Sequence, residues 1–389
     1  MNMTEKTAGY FRFIRFSLGI DDGGDWLSDN VRNGFDWNGF FRFAKEQTLA
    51  GIVFEGVQRL HKEQAPHKAV LMNWLMLSQT LHQQNLRMNR ATVYIYNKVC
   101  HAGFRCCILK GQGNALMYPN PYSRTPGDVD VWVNASRQDI RRLAQMLAAD
   151  GNGSIGEESR NHVEITVNGI SVELHSTPAI MNNPWHGHRL QQLLRRNVDL
   201  QCSNVVPLPD VAGSVAVPTS AFNVIYQLFH LYHHYLYEGI GLRQFVDYYF
   251  VLKSLNTDGH GCHERIGKKS PTDFTDDTDL AALQRELKWL GLWKFAGAVM
   301  YVLHEVLGLP REWMIAPIDG RRGKLLLDEI MQGGNFGQHA EKKHSGSMSW
   351  RHNVYRLQKD LKLMRYYPGE CLSEPFYRMW HFVWRMKHK

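Results

Sequence analysis

A chain of 389 residues with 44% hydrophobic and 21% charged residues has an ordinary globular composition, which excludes a disordered or fibrous protein. It is too long for one typical core, so two or three domains, or one elaborated domain, are expected. The net charge of +8 suits a polyanionic partner, a nucleotide or a nucleic acid, without requiring one.

The six cysteines show no CxxC pair and no regular spacing, which points to reduced thiols rather than to zinc or a disulfide framework. The opening MNMTEKTAGYFRFIRF scatters charge and lacks the apolar core and cleavage site of a signal peptide. No apolar stretch reaches the roughly 18 residues of a membrane span. A soluble, cytoplasmic protein with no membrane span is expected.

Residues 8 to 100 read as helices. Asp36 caps WNGFFRFAKEQ, whose Trp37, Phe40, Phe41 and Phe43 recur at spacings of three and four. GIVFEGVQRLHKE comes next, and a long segment from about Lys68 to Ala102 continues the pattern. None of these carries obvious chemistry, so residues 1–102 are expected to form a helical region that supports the rest of the chain.

From Gly103 the texture changes, and 103–200 reads as an α/β core. An apolar run, Phe104 to Leu109, stops at Lys110-Gly111-Gln112-Gly113, and a short helix leads to Tyr118. A turn-rich segment with Pro119, Pro121, Pro126 and Gly127 comes next. Then Asp128-Val129-Asp130-Val131-Trp132-Val133 alternates as a strand and puts both carboxylates on one face. Paired acids just after a Gly-bearing loop form a plausible site for a divalent cation and a phosphate. Ser136 caps the helix RQDIRRLAQMLAAD, which closes at Asp150-Gly151.

HVEITV and ISVELH flank Asn168-Gly169, the preferred pair for a type I′ hairpin turn. That turn sets the register. Val167 faces Ile170, Ile165 faces Val172 and Val163 faces Leu174 on an apolar face. On the other face Thr166 meets Ser171, Glu164 meets Glu173 and His162 meets His175. Like charges directly opposite are unfavourable in a bare sheet. A cation or phosphate-bearing ligand over that face accounts for them; a solvated outer face with splayed side chains is the plainer reading.

Beyond about residue 200 helices are expected again, to residue 389, with a polar loop near 255–277. SAFNVIYQLFHLYHHYLY carries His230 and His234 four apart on one helix face. Packed or hydrogen-bonding histidines are favoured there over metal ligands, with phosphate or substrate contact as a third reading. Arg243 and Asp247 are also four apart, and a structural ion pair between them is the default. Cys262 and His263 are too isolated to argue for metal, and Gln332 to Ser349 reads as flexible. The final FYRMWHFVWRMKHK interleaves aromatic and basic residues. It could stack on bases or lie on a membrane surface, but a terminal helix docking its Trp and Phe on the core is favoured.

One ordered set of residues resembles a family. Lys110-Gly111, a short helix, Tyr118-Pro119, Arg124, Asp128-x-Asp130 and Glu173-Leu174-His175 together look like the polymerase-β-like nucleotidyltransferase superfamily. More narrowly they resemble a poorly characterised bacterial branch known only as nucleotidyltransferase family proteins. The resemblance runs from about Asp36 to about Gly337. It implies an α+β fold: a small mixed sheet embedded between N- and C-terminal helical regions. It implies Asp128, Asp130 and Glu173 as catalytic residues and ligands of Mg²⁺ or Mn²⁺. It implies nucleotide contacts from Lys110, Gly111, Gly113, Arg124 and His175, with His230, Arg243 and Asp247 walling the acceptor or base pocket.

The implied reaction moves an NMP from an NTP, such as ATP, to a hydroxyl or phosphate acceptor and releases pyrophosphate. The acceptor is open: a small molecule, a protein side chain or an RNA end, with nucleic acid not favoured. The superfamily usually has Gly followed at once by Ser or Gly in its loop, whereas here Gln112 comes after Gly111 and Asn114 after Gly113. The competing expectations are a non-catalytic nucleotide- or RNA-binding module that keeps the fold, and a helical scaffold whose acids are merely exposed.

Overall fold

The computed structural model describes residues 5–24, 34–159, 161–257, 277–333, 359 and 361–388. The expected polar loop near 255–277, with Cys262 and His263, and most of the segment from Gln332 to Ser349 lie outside them.

Helices α1 (Glu5–Ser17), α2 (Trp37–Glu46), α3 (Ala50–Gln58) and α4 (Lys68–His101) form the N-terminal region. Asp36 caps α2 by accepting from the Gly39 N–H at 2.8 Å. The aromatic residues of α1 and α2 pack on one another and on Trp74 of α4, with Phe40 and Trp74 fully buried. These helices do carry something toward the site. Asn85 of α4 is buried and donates from Nδ2 to the carbonyls of Tyr122 and Arg124 at 3.0 and 2.8 Å. Asn89 accepts from Gln112 Nε2. A buried amide keeps its place only when its hydrogen bonds are satisfied, so α4 pins both the turn-rich segment and the Lys110 loop.

The sheet has five strands: β1 (Cys106–Leu109), β2 (Val129–Val133), β3 (Ser154–Glu158), β4 (His162–Val167) and β5 (Ile170–His175), in the order β1-β2-β5-β4-β3. β2 and β5 are parallel and the other pairs antiparallel, so the sheet is mixed and the fold is α+β. Between β1 and β2 lies α5 (Gly111–Ala115), and between β2 and β3 lies α6 (Arg137–Asp150), capped by Ser136. The hairpin register is the one that the Asn168-Gly169 turn dictates, from Val167↔Ile170 through His162↔His175. Both turn residues have positive φ, +52° and +76°, as type I′ requires.

Two cores arise from strand alternation. One face of the sheet, with Ile108, Val131, Ile165, Val172 and Leu174, packs on Ile140, Leu143 and Leu147 of α6. The other face carries Cys107, Leu109 and Trp132 into the large helical core. Asp130 and Glu173 lie on this second face, turned toward the C-terminal helices.

That region comprises α7 (Pro184–Gln201), a ribbon of β6 (Val205–Pro207) and β7 (Ser214–Ala216), α8 (Ser220–His233), α9 (Leu242–Thr257), α10 (Asp277–Trp289), α11 (Trp293–Leu307), α12 (Gly320–Gly333) and α13 (Pro368–His388). A π-helical turn, His234–Glu238, joins α8 to α9. Trp132 stacks on Phe222 of α8 at 5.8 Å, which seats α8 over the acidic strand.

Three expectations need correction. β3 was not expected, because Ser154-Ile-Gly-Glu-Glu158 is an almost wholly exposed edge strand with no buried face to impose alternation. The ribbon β6–β7 interrupts a region expected to be helical; its three-residue strands are too short to show a period. Finally, α13 does not dock Phe376 and Trp380 on the core, although its Tyr377 is half-buried. Phe376 is 70% exposed and Trp380 44%, while Glu370 and Glu374 are buried.

Candidate active site

Asp130 is paired in register with Glu173 across the parallel β2–β5 ladder. Asp128 lies just before β2 begins, and its carboxyl joins the same cluster. The three carboxylates each offer an oxygen, all within 4.8 Å of one another. His162, Glu173 and His175 form a second group meeting the same limit, so Glu173 is shared. His175 donates from Nε2 to Asp130 Oδ1 at 3.1 Å and lies 3.2 Å from Glu173 Oε2. Its Nδ1 is buried and lacks a partner among the described residues. Glu164 sits directly across from Glu173 on the same hairpin face, and Ser171 Oγ donates to it at 3.4 Å.

The charges are unequal in their effect. Repulsion from Asp130, and then burial, push the Asp128 carboxyl up to about 6. Burial works to raise Asp130 as well, but Lys110 and His175 outweigh it and hold that carboxyl well below its usual range. His175 is driven up to about 9: burial opposes its charge, and the hydrogen bonds to Asp130 and Glu173 overcome burial. Lys110 and His175 supply positive charge beside the carboxylates.

Lys110 caps α5 with a strained backbone, φ +50° and ψ −135°, and Gly111 follows at φ +41°. The turn from β1 into α5 is thus sharp, and it aims the Lys110 Nζ at Asp130 Oδ2, 3.0 Å away. Nζ is also 3.4 Å from His230 Nε2. His230 in turn lies 2.9 Å from His234 Nε2, and His234 Nδ1 is 2.8 Å from Glu238 Oε2. Burial and the nearby Lys110 charge hold His230 well below the ordinary histidine range, so it is neutral. The histidine pair is therefore a hydrogen-bonding wall, and among the described residues it belongs to neither cluster of convergent metal-ligand atoms.

Arg243 and Asp247 share a helix face, but the carboxylate is taken elsewhere. Asp247 accepts from Arg124 Nε and Nη2, both at 2.8 Å, and from the Tyr118 hydroxyl at 2.6 Å. Arg243 Nη1 donates to the Thr125 carbonyl at 2.8 Å. The default i,i+4 pair is thus replaced by a tertiary one. A planar guanidinium matches a carboxylate in bidentate fashion, and the turn-rich segment brings Arg124 to within reach of α9. This clamp ties residues 118 to 125 to α9.

These groups line one cavity of about 250 Å³. Lys110, Gly111, Arg124, Asp128, Asp130, Glu173, His175, His230, Arg243 and Asp247 all contribute to its lining. Gly113 does not. It faces Val217, whose Cγ1 would lie 3.1 Å from an added Cβ, so this glycine permits close packing of α5. Sequence reading missed Tyr226 and Glu238, which also line the cavity. Helical spacing offered a signal for both, since Tyr226 is four residues before His230 and Glu238 four after His234.

A family model described as "Uncharacterised nucleotidyltransferase" matches residues 33–268. The chain belongs to that nucleotidyltransferase family. The matched span holds the whole acidic cluster, the Lys110 loop and the Arg124–Asp247 clamp, so every wall of the cavity described above lies within the family's domain. No curated protein matches the chain. Among solved structures, the chain is similar to an antigenic nucleotidyltransferase-like protein from Paracoccidioides brasiliensis. The two share 14% identity over 52% of this chain and 92% of that one, and the TM-score of 0.32 is too low to carry an argument. No helix among the described residues is long and apolar enough to cross a membrane.

Proposed function

We infer that this nucleotidyltransferase-family chain transfers a nucleoside monophosphate from an NTP to a hydroxyl or phosphate acceptor, using Mg²⁺ or Mn²⁺. One observation carries the reading: three carboxylates, one buried and two half-buried, converge within 4.8 Å, and the Asp128 carboxyl is displaced to about 6 by its neighbour Asp130. Acids held together against their own repulsion fit a hard divalent cation, which takes oxygen ligands. The imidazoles of His162 and His175 beside Glu173 add nitrogen donors, which Mn²⁺ accepts more readily than Mg²⁺ does.

Asp128, Asp130 and Glu173 would hold the metal, which when bound supplies charge neutralisation for the phosphates and activation of the attacking oxygen. The chain's own groups do the rest. The acceptor oxygen forms a bond to the α-phosphorus while the bond from that phosphorus to the pyrophosphate oxygen breaks. The proton of a hydroxyl acceptor passes to a Glu173 carboxylate oxygen, and an ionised phosphate acceptor brings none. Lys110, whose Nζ lies 3.0 Å from Asp130 Oδ2, would supply positive charge to the triphosphate. Neutral His230, together with Arg243, forms the opposite wall, and the Arg124–Asp247 clamp keeps that wall in place. The departures in the loop, Gln112 and Asn114, both point into hydrogen bonds with the scaffold, Gln112 to Asn89 and Asn114 to Asn223. The phosphate side therefore relies on Lys110 and backbone groups near Gly111.

The test is a panel of NTPs with Mg²⁺ or Mn²⁺, read by thermal shift and pyrophosphate release on wild type and Asp130→Asn. The reading expects metal-dependent nucleotide stabilisation in wild type that Asp130→Asn loses. Metal-dependent stabilisation without turnover on any acceptor class would favour a non-catalytic nucleotide-binding module instead.

A further inference from the structure

Helix α13 presents its charged face to the protein and its apolar face to solvent. Glu370 and Glu374 are 3% and 7% exposed. Glu370 Oε2 accepts from the Asn182 and Asn183 N–H groups at 3.0 and 3.3 Å, at the start of α7. Arg378 donates to Glu374 from Nε at 2.9 Å. Facing outward are Leu372, Phe376, Met379, Val383 and Met386, exposed by 54, 70, 64, 41 and 62%. Their spacing of four, three, four and three makes one stripe along the helix, and Trp380 borders it. A soluble helix buries such a stripe; this one is anchored by its acids instead.

Charge decides among occupants. Residues 375–389 contain Arg378, Arg385, Lys387 and Lys389 and no Asp or Glu. Two copies meeting along this helix would bring like charges together, which disfavours a homodimer. A nucleic-acid strand would meet the cations and two exposed rings, Phe376 and Trp380, but the other four residues of the stripe, Leu372, Met379, Val383 and Met386, offer no aromatic face on which bases stack. An apolar stripe with aromatic residues beside Lys and Arg is the composition of a helix that lies in the headgroup region of a bilayer. Anionic lipid complements its cations, and the chain has no described helix able to span.

We propose that α13 is a membrane-surface helix that docks this protein reversibly on anionic lipid through the stripe from Leu372 to Met386. The proposal is independent of the nucleotidyl-transfer reading. It is tested by co-sedimentation of the full chain with vesicles of phosphatidylglycerol and phosphatidylcholine, against phosphatidylcholine alone. Binding is expected on the anionic vesicles and at least about tenfold weaker on the neutral ones. The double variant Phe376→Ser, Met379→Ser is expected to lose binding while its melting temperature stays within about a degree of wild type, since both side chains are already exposed. Arg385→Gln and Lys387→Gln should each weaken binding by about fivefold at low salt. The proposal is overturned if wild type stays in the supernatant with both vesicle types, or if the serine variant binds as well as wild type. It is equally overturned if sedimentation equilibrium shows wild type dimerising through this stripe, or if single-stranded RNA binds it in preference to vesicles.

Discussion

Asp130 and Glu173 stand side by side on adjacent parallel strands, in register, with the His175 imidazole within 3.2 Å of both carboxylates. Neither residue lies near the other in the chain. A hairpin turn at Asn168-Gly169 sets where Glu173 falls on β5, and the parallel pairing of β5 with β2 brings it beside Asp130.

Replacing Asp130 with Asn should remove a ligand without changing shape. Pyrophosphate release is expected to fall by more than about 100-fold, and the metal-dependent thermal shift should vanish. Retention of both would show that the carboxylate cluster does not hold the metal.

Asp128 gives the site a pH dependence whose sign comes from its raised pKa, about 6 against 3.8. A raised acid is at its most stabilising below the unfolded value and loses stability as pH rises toward the folded one. In chelator, Asp128→Asn should therefore stabilise the chain by about 2 kcal/mol above pH 6, discounted for partial exposure, with no gain below pH 4. Divalent cation should stabilise wild type most above pH 6 and progressively less as Asp128 takes up its proton. Chemical denaturation across this range, with and without Mg²⁺, measures both; a flat difference between the two proteins would contradict the account.

Asp247→Ala would leave the buried Arg124 guanidinium without its bidentate partner. Loss of one member of a buried pair costs about 3–5 kcal/mol, so a large drop in melting temperature is expected. Tyr118→Phe removes a single hydrogen bond to the same carboxylate and should cost about 1–2 kcal/mol. Urea titrations of the two variants would settle the order; equal costs would mean that the clamp is not centred on Arg124.

Gly51 on α3 approaches the turn-rich segment so closely that an added Cβ would sit 2.3 Å from the Ser123 carbonyl oxygen. Gly51→Ala should cost about 1–3 kcal/mol and should displace the neighbouring Arg124. Its expected signature is destabilisation accompanied by weaker nucleotide binding, measured by thermal shift with and without NTP.

The acidic motif, the hairpin register and the caps at Asp36 and Ser136 could all be read from the chain, because each rests on side chains within a few residues of one another. Strand period places Asp128 with Asp130, and an Asn-Gly turn fixes which residues of two flanking strands meet. Edge strand β3 escaped because nothing buries it, and the ribbon β6–β7 because three residues show no period.

The choices among partners were made in three dimensions. Asp247 had a local candidate in Arg243, one turn away, and was taken by Arg124, 123 residues earlier in the chain, where bidentate geometry and burial favour it. Gly113 was placed against Val217 rather than in the cleft. The apolar stripe of α13 has the pattern of a buried helix, yet the anchoring of Glu370 at the start of α7 turned it outward. Periodicity says that a helix has two faces; only the packing of the rest of the chain determines which one meets water.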